Sequence, residues 1–274
     1  MDALGPLRPG AAACLPLSMP NTIMLGHLVR NLNGSASRPA GRGSRGMPRW
    51  KRWVDVALAV MALPLLLVCT LGMAIVTGLI SPGPVFFPQE RVGYRGRRFR
   101  ILKFRTMYVG ADTLAHQSYC IGLMRSGAPM AKLDGSGDAR LIPGGWLLRA
   151  TGLDELPQVL NVLLGDMSIV GPRPCVPSEY ENYRLDQRER FDAMPGLTGL
   201  WQVSGKNRTS FDEMIRLDIH YARHFSAPMD LRIMVATVPA LIAQVVEIRR
   251  RRTVAALTIA VLPVLVAGVK PSSS

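Results

Sequence analysis

Residues 56–80 read V-A-L-A-V-M-A-L-P-L-L-L-V-C-T-L-G-M-A-I-V-T-G-L-I, an apolar run without a charged side chain. At about 1.5 Å per residue, a helix of this length reaches across the hydrocarbon core of a bilayer. Lys51, Arg52 and Asp55 stand at the entrance of the run. The pattern therefore predicts a membrane helix that begins close to these three charged residues.

Basic residues are dense on both sides of this run. Such clusters normally stay on the cytoplasmic side, so a spanning helix would carry one of them across the membrane. A segment that enters, bends and returns keeps both inside, and Pro64 favours a bend because it removes a backbone hydrogen bond. We therefore predict a re-entrant helix, with a spanning helix as the alternative. The two clusters are Arg42, Arg45, Arg49, Lys51 and Arg52 before the run, and Arg91, Arg95, Arg97, Arg98, Arg100, Lys103 and Arg105 after it.

The composition of the chain narrows the class of partner. Its 274 residues carry a formal net charge of +14, yet 48% of them are hydrophobic. Soluble nucleic-acid binders are usually less apolar, so we predict an anionic membrane face or a polyanionic substrate, and no nucleic acid. Neither a disulfide framework nor a zinc site is indicated, because the cysteines are far apart. They are Cys14, Cys69, Cys120 and Cys175.

The segment after the apolar run predicts a short β-hairpin. Val85–Phe87 and Phe99–Phe104 have strand character, and glycines lie between them. Arg100, Lys103 and Arg105 alternate with apolar residues at the second strand. This alternation suits an amphipathic surface against lipid or a wall that binds phosphate, and a solvated face is the simpler alternative.

Residues 154–173 read D-E-L-P-Q-V-L-N-V-L-L-G-D-M-S-I-V-G-P-R and predict a short helix. Pro157 suits a first helical turn, apolar residues follow, and Gly165 is a typical C-terminal stop. Asp154 and Glu155 would then lie at the positive end of the helix dipole, where ionised carboxylates are favoured. An ionised carboxylate serves as a nucleophile or as a ligand of a divalent cation. A helix cap beside a solvated acid is the alternative reading of the pair.

Several motifs, taken together, resemble one protein family. The chain resembles the bacterial sugar transferases, monotopic polyprenyl-phosphate phosphoglycosyl transferases that initiate exopolysaccharide and glycan assembly. The resemblance extends from about residue 48 to about residue 245. The matching stretches are K-R-W-V-D at 51–55, S-P-G-P-V-F-F at 81–87, Q-E-R-V-G at 89–93, F-R-I-L-K-F-R-T-M at 99–107, L-D-E-L-P-Q at 153–158, N-V-L-L-G-D-M-S-I-V-G-P-R-P at 161–174 and P-G-L-T-G-L-W-Q-V-S-G-K-N at 195–207.

The resemblance implies an enzyme and a reaction. A sugar-1-phosphate is transferred from a UDP-sugar to undecaprenyl or another polyprenyl phosphate, and the nucleoside monophosphate is released. The acidic pair of the family falls on Asp154, the implied nucleophile that forms an acyl phosphate, and on Glu155, an implied Mg²⁺ ligand. Membrane lipid and downstream glycosyltransferases are the further partners. The implied location is the bacterial inner (cytoplasmic) membrane, with the active site on the cytoplasmic face.

Other side chains are candidates for the same site. Prolines on both sides of Arg173 restrict its backbone, so less entropy is lost when its guanidinium is held on a phosphate. We predict that Arg173 contacts a substrate phosphate and that Lys103 and Arg105 belong to the same wall. Asp166 is a further candidate metal ligand, and a turn residue after Gly165 is its alternative role.

The predicted fold is α+β and mainly helical: a monotopic membrane protein with an N-terminal re-entrant helix, a short β-hairpin and interfacial amphipathic helices. Residues 1–47 form an irregular basic arm, and 48–80 form the membrane helix. Residues 81–248 form the catalytic domain at the cytosolic face. A basic run and a short apolar tail occupy 249–274, and the tail is about the minimum length that crosses a bilayer.

Three further features of the sequence need separate interpretation. Leu63 precedes Pro64 where relatives often carry serine. His220 and His224 are four residues apart, a spacing that suits a metal pair, but an exposed helix face explains them better. Met229–Ile248 has helical apolar spacing, and the basic run beyond it favours the membrane surface over a core position.

Two other functions use parts of the same sequence. A membrane-tethered scaffold that binds polyanions needs the charge and the apolar run but not the acidic pair. A metal-dependent phosphohydrolase would use the same carboxylates with water as the acceptor. The sequence assigns no particular sugar to the site.

Overall fold

The computed structural model describes residues 47–111, 122, 124, 126, 138, 140–205 and 209–267, with side chains to Arg250 and at Thr253. The predicted arm lies outside this part, apart from its last residue. The helices are α1 Arg49–Ile80, α2 Gly145–Thr151, α3 Val159–Leu164, α4 Pro177–Glu181, α5 Leu200–Val203, α6 Phe211–His224 and α7 Ala227–Ala267. The strands are β1 Phe86–Val92, β2 Arg98–Phe104, β3 Ser168–Val170 and β4 Gly196–Thr198, and 3-10 turns span Tyr94–Gly96, Leu153–Gln158 and Asp186–Asp192.

The predicted hairpin is present and is longer than its sequence pattern indicated. β1 and β2 are antiparallel, with pairs running from Phe86↔Phe104 to Val92↔Arg98. The first strand extends to Val92 although it contains Pro88. The hairpin forms a two-stranded sheet of its own, so each strand has an edge where proline is tolerated.

β3 and β4 form a second, parallel pair. The backbone approaches itself closely beyond these strands, because Gly171 N donates to Thr198 O at 2.8 Å. A Cβ atom added at Gly171 would lie 2.1 Å from Met194 O, and only glycine fits there. This close approach sets the start of the loop that carries Arg173.

The charged first turns of α1 point into the protein. The Lys51 side chain is buried and donates to Val170 O at 2.9 Å, to Tyr221 Oη at 3.2 Å and to Asp230 Oδ2 at 2.5 Å. A buried ammonium needs such partners, because leaving it unpaired in the interior is costly. Lys51 therefore joins α1 to β3, α6 and α7 at one point.

Arg52 and Asp55 extend this attachment along the chain. Arg52 donates to Val162 O and Leu163 O in the last turn of α3, where helix carbonyls lack their full set of intrahelical partners. Asp55 Oδ1 accepts from Ile169 N at 2.9 Å. One face at the entrance of α1 thus holds the backbone between α3 and β3.

The rest of α1 has one packed face and one exposed face. Ala59, Leu66 and Met73 are buried in a cluster that includes residues of β2 and α3. On the other face the side chains of Trp53 and Met61 are 74% and 75% exposed. The helix continues through Pro64, and the bend there stays a prediction. An exposed apolar face of this kind is a lipid-contacting surface in membrane proteins.

α7 is longer than the predicted helix Met229–Ile248. It runs unbroken from Ala227 to Ala267 and passes through Arg249–Arg252, so the domain boundary placed before Arg249 falls within a helix. Arg49–Ile80 and Ala227–Arg250 both have the length and apolar character of a membrane-crossing helix. One stripe of α7 is exposed and apolar: Leu231, Val235, Val238, Ile242 and Val246.

We expect Gly171→Ala to lower the free energy of unfolding by about 1–3 kcal/mol, the usual cost of overpacking a well-filled site. The added methyl group meets backbone atoms that cannot rotate away. Gly72→Ala on α1 is the matched control, because nothing lies within 4 Å of its added Cβ. Thermal unfolding in detergent measures both variants, and an equally stable Gly171→Ala protein would contradict the packing described.

Candidate active site

Asp154 and Glu155 lie in the 3-10 turn Leu153–Gln158, directly ahead of α3. Gly152, with φ of 74°, turns the chain from α2 into this segment. The two carboxylates differ in environment. Asp154 is buried with 9% of its surface exposed, whereas 40% of the Glu155 side chain is exposed. A buried carboxylate is held more rigidly, and an exposed one is more accessible to a metal ion.

Lys103 on β2 brings the first cation to the acidic pair. Its Nζ lies 3.0 Å from Glu155 Oε1. Burial lowers the pKa of Lys103, while the charges of Glu155 and Asp154 raise it and that of Arg91 lowers it further. Lys103 therefore lies beside the acidic pair, and its predicted contact with a substrate phosphate stays a prediction.

Arg173 lies in a loop whose backbone is fixed from several directions. Its guanidinium carbon lies 5.9 Å from the centre of the Trp201 ring, a cation–π contact. The prolines on either side limit the backbone, and hydrogen bonds complete the restriction. Three successive carbonyl groups accept them: Pro172 O from Gly196 N at 2.9 Å, Arg173 O from Arg190 Nη2 at 2.9 Å and Pro174 O from Arg91 Nη1 at 3.3 Å.

Arg91 is a residue of this site that the sequence analysis placed only in a basic cluster. It is 6% exposed, and its Nη2 donates to Gln89 Oε1 at 2.7 Å. Burial lowers the pKa of Arg91 to about 10, and the nearby charge of Arg173 adds to this effect. Its place in the motif Q-E-R-V-G was the only sequence feature that pointed to a role for Arg91. No neighbouring residue distinguished it from the other arginines of the cluster.

Arg105 lies in different surroundings from Lys103. β2 ends at Phe104, and the Arg105 guanidinium donates to Ser81 O at the end of α1. Burial alone lowers the pKa of Arg105, without a contribution from Asp154 or Glu155. Its described contacts thus support the junction of α1 and the hairpin, and its predicted phosphate contact stays a prediction.

Asp166 lies beyond the opposite end of α3 from the acidic pair. Burial raises its pKa, whereas the charge of Arg97 and a hydrogen bond with Asn161 lower it. Neither Arg173 nor the acidic pair contributes to that shift. The proposed supporting role of Asp166 at a metal ion or at Arg173 therefore has no described contact behind it.

The histidine pair lies on an exposed face of α6. The rings of His220 and His224 are 4.6 Å apart, and His224 Nδ1 lies 3.0 Å from His220 O. Within the described ranges, no group of three or more His, Cys, Asp and Glu side chains is placed to hold a metal ion.

The acidic pair nevertheless fits Mg²⁺. This ion keeps several waters and commonly binds one or two carboxylates together with substrate phosphates. Asp154 and Glu155 are hard oxygen donors, and the cations beside them attract phosphate. Glu155 is the better ligand because its side chain is the more exposed of the two.

The charges of the site define what it can do chemically. Arg91 interacts electrostatically with Arg173, and Lys103 with Arg91 and with both carboxylates of the acidic pair. Gathering three cations in a partly buried region is unfavourable unless anions compensate them. Glu155 and the buried Glu179 offset the charge of Arg91, and the acidic pair offsets that of Lys103. Cationic side chains grouped in this way are suited to binding a phosphate.

Comparison with known proteins agrees with this chemistry. The profile of the family described as bacterial sugar transferase matches residues 47–244. Galactosyl transferase CpsE of Streptococcus agalactiae is 42% identical over 195 residues, which cover 68% of this chain and 41% of that protein. Exopolysaccharide production protein ExoY of Rhizobium meliloti is 38% identical over 205 residues, covering 75% of this chain and 88% of that protein.

A third relative is named for a specific reaction. UDP-glucose:undecaprenyl-phosphate glucose-1-phosphate transferase of Caulobacter vibrioides is 40% identical over 200 residues, covering 70% of this chain and 69% of that protein. The chain spans less than half the length of CpsE but most of ExoY. Since the family profile covers well over half of its residues, the chain belongs to the bacterial sugar transferase family.

Proposed function

We propose that the protein transfers a sugar-1-phosphate from a UDP-sugar to undecaprenyl or another polyprenyl phosphate, through a covalent intermediate on Asp154. The observation that carries the proposal is the 3.0 Å contact of Lys103 with the acidic pair at Glu155, beside the positive charges of Arg91 and Arg173. The names of relatives agree, since one is a UDP-glucose:undecaprenyl-phosphate transferase and another an undecaprenyl-phosphate galactose phosphotransferase.

In the first step, a carboxylate oxygen of Asp154 attacks the phosphorus that bears the sugar. The bond from that phosphorus to the bridging oxygen breaks, and UMP leaves with the electron pair. Asp154 then carries an acyl-phosphate linked to the sugar. Attack by an anion on a dianionic diphosphate is slow in water, and the three cations lower this barrier by neutralising the phosphate charge.

In the second step, an oxygen of the polyprenyl phosphate attacks the same phosphorus. The acyl–phosphate bond breaks, Asp154 regains its carboxylate, and the product is a polyprenyl diphosphate sugar. Dividing the reaction into two displacements lets one site receive a water-soluble donor and a lipid acceptor in turn. Neither step requires a net proton transfer.

Mg²⁺ is the proposed cofactor, held by Glu155 together with phosphate oxygens and water. When bound, it would neutralise phosphate charge and polarise the bond that breaks. The residues of the chain have separate tasks. Lys103 aligns Glu155 through its 3.0 Å contact, and Arg173 supplies a planar fork for phosphate oxygens.

We propose that α1 is re-entrant and that the site faces the cytoplasm at the bacterial inner membrane. Two sets of contacts support this. Lys51 near the start of α1 bonds to Val170 O and Asp230, while Ser81 O just past its end accepts from Arg105. Both ends of the helix therefore bind the folded part of the chain. The exposed stripe on α7 is proposed to lie on the lipid surface as an interfacial helix.

An assay with radiolabelled UDP-sugars and polyprenyl phosphate separates the candidate functions. A transferase places label in the organic phase, whereas a phosphohydrolase releases free sugar phosphate. A polyanion-binding scaffold shows no turnover. A panel of donors run in this assay also identifies the sugar.

We expect Asp154→Asn to abolish transfer while preserving the fold, because an amide cannot form a stable acyl phosphate but is nearly isosteric. Wild-type protein given a UDP-sugar without acceptor should gain one sugar-phosphate on Asp154, as read by peptide mass mapping. Glu155→Gln is the matched control: it should impair transfer through metal binding, with partial rescue by excess Mg²⁺. Label on Glu155, or kinetics of a ternary complex without labelled enzyme, would overturn the assignment.

We expect Glu155→Gln to lower the pKa of Lys103 further, because the Glu155 carboxylate raises it in the wild type. Lys103 would then lose its proton, and its attraction for phosphate, at a lower pH. Competitive acetylation of the amine followed over pH by mass spectrometry measures this shift. Glu90→Gln removes an exposed carboxylate on the same hairpin and should leave the titration unchanged. An unaltered Lys103 titration in Glu155→Gln would contradict the charge coupling.

Single cysteines at Arg49 and Arg98, in a variant without the four native cysteines, test the membrane topology. We expect both to react with an impermeant maleimide only from the cytoplasmic side, since basic clusters flank α1. Sealed vesicles of the two orientations provide the comparison. Labelling from opposite sides would show that α1 spans the membrane.

A further inference from the structure

Arg190 is a buried arginine whose guanidinium contacts the loop that carries Arg173. Only 1% of its surface is exposed. Its Nη2 donates to Arg173 O at 2.9 Å and also to Asp218 Oδ2 on α6. Its Nη1 donates to the Tyr183 hydroxyl. One buried side chain therefore links the 3-10 turn Asp186–Asp192 and α6 to the backbone of a proposed substrate-binding residue.

The burial of this ion pair is costly and is not explained by stability alone. Both side chains of the Arg190–Asp218 pair are 1% exposed. Removing two charges from water costs several kcal/mol for each, and a well-packed apolar pair often stabilises a core equally well or better. A guanidinium can do what an apolar side chain cannot. While one N–H of Arg190 Nη2 donates to Asp218, the other donates to Arg173 O.

The hydrogen bond to Arg173 O restrains the one residue between the two prolines whose φ angle is not fixed by a ring. Pro172 and Pro174 have fixed φ angles, and Pro174 restricts the residue before it to extended conformations. Within that range the Arg173 backbone can still rotate, which would swing both its carbonyl and its guanidinium. A hydrogen bond at Arg173 O limits this rotation, and the Trp201 ring limits the other end of the side chain.

We propose that Arg190, oriented by Asp218, is a positioning residue that holds the Arg173 guanidinium in the direction required for binding the substrate phosphate. This inference rests on the proposed function, in which Arg173 contacts that phosphate. Arg190 itself is buried and acts only through the backbone of Arg173.

Arg190→Lys keeps the positive charge beside Asp218 but loses the planar group whose Nη2 donates to Asp218 Oδ2 and Arg173 O together. We expect kcat/KM for transfer to fall about tenfold, the effect of misdirecting one transition-state contact. The decisive measurement repeats the substitution in an Arg173→Lys background. There we expect less than about a twofold further loss, because residues that act through one another are not additive. Equal losses in both backgrounds would show a general structural role and overturn the proposal.

Tyr183→Phe is the matched control. It removes another partner of the same guanidinium and leaves the bond to Arg173 O in place. We expect transfer within about twofold of wild type, because perturbing this network without releasing Arg173 leaves the phosphate contact intact. A loss equal to that of Arg190→Lys would overturn the proposal. If Arg190→Lys does not fold, Asp218→Asn replaces it, with the same expectation, because it weakens the hold on Arg190 and also the bond between Asp218 and the Arg173 backbone.

Hydrogen–deuterium exchange gives a readout that does not depend on catalysis. Peptides covering 171–175 should exchange faster in Arg190→Lys than in wild type or Tyr183→Phe. Unchanged exchange would overturn the proposal, whatever the activity. If wild-type protein transfers no sugar phosphate from any donor, the proposed function fails, while the exchange result still decides whether Arg190 holds the loop.

Discussion

A carboxylate can attack a phosphate only when the repulsion between the two anions is removed. In the proposed reaction, three basic side chains from separate parts of the chain meet that constraint. Arg91 and Lys103 come from the hairpin, and Arg173 comes from the loop after β3. Burial lowers the pKa of both hairpin cations, so these side chains are already partly desolvated before substrate arrives. Such preorganisation avoids the cost of reorienting water during the reaction.

The same constraint explains why so much backbone is fixed by side chains from distant segments. A phosphate contact is effective only when its geometry is maintained within a fraction of an ångström. The loop at Arg173 is short and has no regular structure, so its own hydrogen bonds cannot hold it. Arg190 and Arg91 bond to its carbonyls instead, and Gly196 N bonds to a third.

The membrane helix is part of this support. Arg52 donates to two carbonyls in the last turn of α3, and Asp55 accepts from Ile169 N in β3. The segment they hold joins the Asp154 turn to the Arg173 loop. The entrance of α1 thus connects the membrane-associated element to the two halves of the candidate site, with Lys51 and Asp230 forming the buried centre of the junction.

Local signals in the sequence predicted the parts of the structure that depend on neighbouring residues. The apolar run predicted α1, two stretches of strand character around glycines predicted the hairpin, and Gly165 ends α3 with φ of 86°. The length of α7 was underestimated, because four arginines in a row resemble a boundary although arginine is a good helix former. From the sequence, Lys51 was interpreted as a cation that flanks the membrane helix. Its role in the fold was not predictable locally, because its partners Val170 and Asp230 are more than a hundred residues away.

The contrast between local and long-range contacts also explains which site residues the sequence indicated. Asp154, Glu155 and Arg173 were named as candidates because adjacent motifs identify them. Arg91 and Arg190 were not, because an arginine in a basic chain has no local feature that separates a buried role from a solvated one. Their burial also bears on the choice between enzyme and scaffold. A surface that merely attracts polyanions needs exposed cations, which are cheap to maintain. Desolvating Arg91 beside Arg173 weakens the hold of Arg91 on its own proton, a cost that general attraction does not require. The proposed function accounts for this cost, since an in-line displacement at phosphorus needs an anion bound in one fixed orientation.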